Sequence, residues 1–118
     1  MVRYKALLVV IALASLIAAC SGTKQDGYVI ADSKSYEASL FRQQCAVCHG
    51  PEGNGKTVDG KVVPSLRVGD FKFKTEAEVY NQIANGGNGM TPFRDLLTDR
   101  EIKLLADLIH NRLRAKKD

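Results

Sequence analysis

The segment Cys45-Ala46-Val47-Cys48-His49 is the most informative part of this chain of 118 residues. Cys45 and Cys48 are three residues apart and His49 is four residues from Cys45, so on a helix all three side chains lie on one face. Two thiols placed in this way can bond the edge of a porphyrin while the imidazole reaches its iron. This spacing is the attachment signature of a c-type haem. It predicts one covalently bound haem c and a role in electron transfer.

Two other uses of a Cys-x-x-Cys pair are open on the sequence alone. A thioredoxin-like redox centre needs a βαβ context, and no alternating strand pattern flanks the motif. A structural zinc site needs four nitrogen or sulfur ligands, and beside the two cysteines the chain offers only His49, His110 and Cys20. Haem attachment therefore fits the segment better than either alternative.

The N-terminal residues have the features of an export signal. Arg3 and Lys5 precede an uncharged apolar run over residues 7–17, which is too short for a comfortable transmembrane helix. Ile17-Ala18-Ala19-Cys20 then resembles a bacterial lipobox, with isoleucine where leucine is usual. Residues 1–19 are thus predicted to be a lipoprotein signal peptide and Cys20 to be lipidated. An ordinary cleaved signal followed by an unrelated cysteine is the alternative.

The three cysteines of the chain support this interpretation, because two for haem and one for lipid leave none over. Such a protein would be extracytoplasmic and anchored to a lipid bilayer through Cys20. Ser21 follows Cys20 in place of the aspartate that resembles an inner-membrane signal in enteric-type sorting, so the outer membrane is compatible with the sequence. Loss of Arg3 and Lys5 reduces the 17 basic residues to 15 against 13 acidic ones, a net charge of +2 that does not indicate a nucleic-acid partner.

Residues 20–34 are polar and lack a helical period, and they are predicted to be a flexible tether, with a span of roughly 20 Å for fourteen such residues. Residues 35–118 are predicted to form one domain. Its first helix starts near Ser35, capped by Ser33 or Ser35, carries the cysteine motif at its end, and stops at Gly50.

Two further helices have capping-box signatures at their start. One is predicted over residues 75–84, beginning at Thr75 with Glu78 as partner, and the other over residues 99–114, beginning at Thr98 with Glu101 as partner. Residues 50–74 show no sustained period. A loop of this length without regular structure is unusual in a compact domain, but it can pack against a large apolar cofactor. Strands have little support, so the predicted fold class is all-α.

The second axial position on a haem iron goes to methionine or histidine in cytochromes c. Met90 is the one methionine that remains once Met1 leaves with the signal peptide, and it lies between a glycine-rich turn and Pro92. His110, on the last predicted helix, is the competitor. An open or weakly filled position is the third possibility.

Taken together these residues resemble a class I cytochrome c over about residues 35–112. The similarity is carried by the haem motif and by five further segments: Leu40-Phe41, Pro64-Ser65-Leu66, Ile83-Ala84-Asn85-Gly86, Met90-Thr91-Pro92-Phe93 and residues 97–109. It implies three to four helices around a covalently bound haem, with long irregular loops. It also implies that the Pro64 carbonyl holds Nδ1–H of His49, that Leu66 covers the haem, and that His49 and Met90 are its axial ligands.

The resemblance implies a monomeric one-electron carrier between an extracytoplasmic redox donor and acceptor, rather than an enzyme. A haem-based enzyme or gas sensor with an open sixth position is the alternative, and a lipoprotein in which haem is mainly structural is another. The chain departs from the family at the crossing of the first and last helices. It has Glu37 where glycine is usual and Leu108 where an aromatic is usual, so the crossing is expected to be looser, shifted or arranged around Ala38.

Overall fold

The computed structural model describes residues 27–114, so the predicted signal peptide and Cys20 lie outside the described residues. Helix α1 spans Tyr36–Gln44 and a short helix α2 spans Ala46–His49. Strands β1 (Lys56–Val58) and β2 (Lys61–Val63) follow, then helices α3 (Glu76–Asn85) and α4 (Asp99–Asp107), and α4 continues as a π-helix over Leu108–Leu113. Between residues 27 and 114 no helix is both long and apolar enough to cross a bilayer. The all-α fold class is confirmed, with one small hairpin added.

The predicted helix starts are those of the structure. The Ser35 hydroxyl accepts a hydrogen bond from the backbone N–H of Ala38, which makes Ser35 the cap of α1. Thr75 and Thr98 each form a complete capping box with the glutamate three residues on. These bonds satisfy backbone donors that a helix N-terminus otherwise leaves unpaired.

The first helix differs from the single helix predicted to run through the cysteine motif. Cys45 has φ −109° and ψ −35°, and it separates α1 from α2. The backbone N–H groups of Cys48 and His49 both donate to the Cys45 carbonyl, at 3.2 and 2.9 Å. The motif therefore lies on its own turn of helix, which Gly50 ends at the expected place.

The hairpin lies inside the segment expected to be irregular. Strand β1 pairs with β2 in antiparallel register, Lys56 opposite Val63, and the turn is made by Asp59 and Gly60 at φ 48° and 76°. Asp-Gly between β-branched residues is a hairpin signal, because both central residues of such a turn need positive φ. That signal was present in the sequence and explains the strands.

The core lies between the helices, with α1 and α3 packed on α4 and α3 packed also on its π-helical extension. It is formed by apolar side chains less than 10% exposed: Ile30, Ala38, Leu40, Phe41, Cys45, Val79, Ile83, Ala84, Phe93, Leu97, Ile102, Leu105, Ala106, Leu108, Ile109 and Leu113. Burial of this apolar surface is the main force that holds the helices together.

Residues 27–34 differ from the flexible tether expected over 20–34. Ile30 is fully buried, and the Tyr28 hydroxyl donates to the Ser33 hydroxyl at 2.6 Å. Arg42 of α1 donates to the carbonyls of Ile30 and Ser33, at 2.7 and 3.0 Å. The packed part of the domain therefore begins near Tyr28 rather than at Ser35.

The three residues singled out at the crossing of the first and last helices are all buried. Ala38 and Leu108 are fully buried in the core. Glu37 is also buried, and its carboxylate accepts a hydrogen bond from Arg112 Nη1 at 2.6 Å. Arg112 lies on the π-helix, whose turn has an extra residue. The Arg112 guanidinium also contacts Asp107, at 3.4 Å. An ion pair thus occupies the place of the glycine.

This ion pair predicts a pH dependence of stability. The pKa of Glu37 is lowered from its ordinary value of 4.5, first by a hydrogen bond from its own backbone N–H and then by Ser35 and Arg112. A carboxylate with a lowered folded-state pKa stabilises the fold above about pH 4.5, and that contribution is lost as pH falls through the lowered pKa. We expect Glu37→Gln to reduce the free energy of unfolding at pH 7 by about 1 kcal/mol.

Denaturant unfolding of the holoprotein at pH 7 and pH 3 measures this effect. Asp107→Asn is the matched control, because it removes the longer and more exposed contact of Arg112 and is expected to cost less. A Glu37→Gln deficit that is the same at both pH values would contradict the prediction.

Candidate haem-binding site

Helix α2 places the two thiols in different environments. Cys45 is 7% exposed and belongs to the core, whereas Cys48 is exposed. Burial, with a smaller effect of Cys48, raises the pKa of the Cys45 thiol to about 12. Cys45 is therefore a neutral thiol at pH 7.

His49 and Pro64 are the predicted site residues that the structure brings into direct contact. Nδ1 of His49 lies 3.4 Å from the Pro64 carbonyl oxygen. A carbonyl can only accept, so this contact requires the proton on Nδ1 and leaves the Nε2 lone pair free. Burial lowers the pKa of His49, partly offset by the Pro64 carbonyl. The ring is thus a neutral imidazole able to bind a metal.

The Pro64 backbone is held against α2 by a close approach at Gly55. The Gly55 N–H donates to the His49 carbonyl at 2.8 Å, and Gly55 has φ +82°. A Cβ at Gly55 would lie 2.6 Å from the Val63 carbonyl oxygen and 2.9 Å from the Pro64 carbonyl carbon. Only glycine leaves room for this contact between the two segments.

Leu66 is partly buried and packs against the hydrophobic core. Its N–H donates to the Gly53 carbonyl at 2.8 Å, and its Cβ lies 3.7 Å from where a Gly53 Cβ would be. Gly53 is also close to Phe41 and Leu113. Leu66 therefore joins the loop that follows the cysteine motif to the core.

Met90 is held in a tight turn after α3. Its backbone N–H and C=O exchange hydrogen bonds with Gly87 at 3.0 and 2.9 Å. Its side chain is partly buried against the core, and Gln82 Nε2 lies 3.6 Å from its sulfur. Gln82 also donates to the Gly87 carbonyl at 3.1 Å, so one amide supports both the turn and the sulfur. Sequence reasoning missed Gln82, since no spacing rule marks it.

The structure does not favour His110, the competing candidate for the second axial position, as an iron ligand. Its Nε2 lies 3.0 Å from the Lys74 carbonyl oxygen and its Nδ1 lies 2.8 Å from Oδ1 of Asn111. Both ring nitrogens are thus engaged: the Lys74 contact joins the last helix to the segment before α3, and the Asn111 contact lies within the last helix. This arrangement gives His110 a structural role.

The donor set fits a covalently bound haem. It consists of two thiols that flank one helical turn, a neutral imidazole fixed through Nδ1, and a thioether sulfur in a constrained loop. Thiols form the thioether bonds of haem c, and histidine with methionine is the axial pair of cytochromes c.

Comparison with known proteins identifies the family of the chain. Residues 37–109 match the family described as cytochrome C oxidase, cbb3-type, subunit III. The match covers α1 to the π-helix and includes the cysteine motif and Met90. The chain belongs to this family of class I cytochromes c.

The cytochrome is 29% identical over 73 residues to a cytochrome c6 from Gracilaria tenuistipitata var. liui, an alignment that covers 62% of this chain and 67% of the relative. Among solved structures it is similar to the KustC0563 c-type cytochrome, with 26% identity, a TM-score of 0.49, and coverage of 61% and 90% of the two chains. As a member of its family the cytochrome carries a covalently attached haem c and transfers electrons between redox partners. The thioredoxin-like and zinc alternatives are thereby set aside.

Proposed function

We propose that this cytochrome is a monomeric, membrane-anchored one-electron carrier between extracytoplasmic redox partners. In this proposal Cys45 and Cys48 form the two thioether bonds to the haem, and His49 and Met90 are its axial ligands. The observation that carries the assignment is the contact between His49 Nδ1 and the Pro64 carbonyl oxygen, at 3.4 Å. With the proton on Nδ1 facing this oxygen, Nε2 is left to bind iron, as an axial histidine requires.

The proposal gives each of these residues a role at the haem. The haem would supply an iron that cycles between its ferric and ferrous states and so carries one electron at a time. The Pro64 carbonyl orients the imidazole, and Leu66 shields the same side from water. The Met90 thioether is a soft ligand that favours ferrous iron relative to a second histidine, and so raises the reduction potential. With both axial positions filled by protein, small molecules have no ready access to the iron.

The anchor is inferred from the sequence that precedes the domain. An apolar run followed by Ile17-Ala18-Ala19-Cys20 supports cleavage before Cys20 and its lipidation. Two or more acyl chains give stable attachment, whereas one is marginal. Ser21 after Cys20 is compatible with the outer membrane. The carrier would then work at the surface of a bilayer, on its extracytoplasmic side.

The proposal predicts the behaviour of the protein extracted from membranes of cells with intact haem-maturation machinery. We expect the intact mass to exceed that of residues 20–118 by one haem and by the acyl chains, and the visible spectrum to be that of a six-coordinate haem. Cys20→Ser is the matched control. It is expected to move the protein into the soluble extracytoplasmic fraction without loss of haem.

Each part of the proposal can fail separately in this experiment. A colourless protein without a porphyrin adduct would contradict the assignment of Cys45, Cys48 and His49. A haem-bearing protein with no acyl mass, whose fractionation does not change in Cys20→Ser, would contradict the anchor and leave the haem site intact.

A further inference from the structure

A buried ion pair lies beside the contact between His49 and Pro64. Arg67 Nη2 and Glu52 Oε2 are 2.9 Å apart, and the two side chains are only 9% and 16% exposed. Glu52 is three residues after His49, and Arg67 is three residues after Pro64. The ion pair therefore links the two segments that carry the histidine and its acceptor.

Arg67 holds its neighbours through several bonds at once. Its Nε donates to the main-chain carbonyl of Glu52, while Nη2 donates to the Glu52 carboxylate and, at 2.8 Å, to the Tyr28 carbonyl. Its own backbone N–H donates to the Ser65 hydroxyl at 3.1 Å. The planar guanidinium offers donors in a fixed geometry. It thus sets the position of residues 64–67 relative to residues 49–52.

The N-terminal segment covers this ion pair. The two carboxylate oxygens of Glu52 accept hydrogen bonds from the N–H groups of Ile30 and Ala31, both at 2.8 Å. The Glu52 carboxylate thus accepts from two backbone N–H groups as well as from Arg67, and the low exposure of both side chains limits the access of water to the pair. Low exposure keeps the attraction weakly screened by salt.

The contact that this ion pair supports is sensitive to small movements. At 3.4 Å the distance from His49 Nδ1 to the Pro64 oxygen is already beyond the usual range for an N–H···O bond. A small outward shift of Pro64 would break it. A hydrogen bond at Nδ1 raises the donor strength of a metal-bound imidazole, and a stronger donor favours ferric over ferrous iron.

We propose that Arg67, paired with Glu52, is a positioning residue that lowers the reduction potential of the haem by holding the Pro64 carbonyl against His49. The inference rests on the proposed function, because it requires His49 to be the axial histidine. Neither Arg67 nor Glu52 needs to touch the haem for this effect.

The test is the midpoint potential of purified holoprotein carrying Arg67→Gln, measured by spectroelectrochemical titration. Glutamine cannot bridge the Glu52 carbonyl, the Glu52 carboxylate and the Tyr28 carbonyl together. We expect haem content to be unchanged and the ratio of reduced to oxidised protein at a fixed applied potential to rise roughly threefold, where tenfold is 59 mV for one electron.

Arg42→Gln is the matched control. Arg42 donates to the carbonyls of Ile30 and Ser33 in the same N-terminal segment, but its bonds go to that segment and not to residues 52 or 64–67. Loss of the Arg42 guanidinium loosens the N-terminal segment over the ion pair without removing the ion pair itself. Arg42→Gln is therefore expected to reduce stability and leave the potential unchanged.

A rise in potential with Arg67→Gln and none with Arg42→Gln supports the inference. An unchanged potential in haem-bearing Arg67→Gln, or equal shifts in both variants, overturns it. If Arg67→Gln does not assemble, Arg67→Lys is measured by the same criteria, since lysine keeps the charge but loses the fork, and a smaller rise is expected. Absence of covalent haem in the unsubstituted protein would instead contradict the proposed function.

Discussion

Met90→Ala is expected to open the sixth coordination position and to lower the reduction potential. Loss of the thioether removes the soft ligand that favours ferrous iron. The expected fall is on the order of 0.1 V, within the range of about 0.8 V over which axial ligands set haem potentials. Ferrous Met90→Ala should also bind carbon monoxide promptly, whereas the unsubstituted protein should not.

The matched control for this variant is His110→Ala. Both ring nitrogens of His110 are in contact with Lys74 and Asn111, so its loss should affect stability alone. Visible spectroscopy of ferric and ferrous protein, with and without carbon monoxide, measures both variants. A six-coordinate spectrum that persists in Met90→Ala and is lost in His110→Ala would reverse the assignment of the sixth ligand. Prompt carbon monoxide binding by the unsubstituted protein would contradict the assignment of Met90 and favour an open iron position.

Gly55→Ala is expected to destabilise the protein strongly. Alanine at φ +82° is strained, and its Cβ would lie 2.6 Å from a backbone oxygen of the hairpin strand β2. Backbone cannot yield as a flexible side chain does. Strain and overlap together are expected to cost about 2–4 kcal/mol, and the forced movement of Pro64 should also raise the reduction potential.

Gly60→Ala separates the backbone strain from the steric overlap. Gly60 has a similar φ of +76°, but a Cβ there would have open space around it within 4 Å. This control carries only the conformational cost, about 1 kcal/mol, and it should leave the potential unchanged. Denaturant unfolding and redox titration of both holoproteins measure the difference. Equal losses of stability in the two variants would refute the close contact at Gly55.

The parts of the fold that the sequence predicted are those governed by local rules. Both capping boxes, at Thr75 and Thr98, combine a hydroxyl and a glutamate three residues apart, and such a pattern needs no information about the rest of the chain. The cysteine motif is equally local, since its meaning depends on a spacing of four residues. These signals were sufficient for the fold class and the cofactor.

The remaining features depend on contacts between segments far apart in sequence. The ion pair of Glu52 with Arg67 and the bond of Arg112 to Glu37 join residues 15 and 75 positions apart, and no periodicity marks them. Gln82 was missed for a similar reason, because its role depends on how the Met90 loop folds back on α3. The hairpin at Asp59-Gly60 is different, since its signal was local and was overlooked.

The docked N-terminal segment has a consequence for where this carrier can work. If Cys20 bears the lipid, about seven residues separate it from Tyr28, and even a fully extended chain of that length reaches only about 25 Å. The haem domain would then stay within one protein diameter of the bilayer surface. Electrons would pass to neighbours embedded in or resting on the same membrane, while a partner deep in the aqueous compartment would have to travel to it.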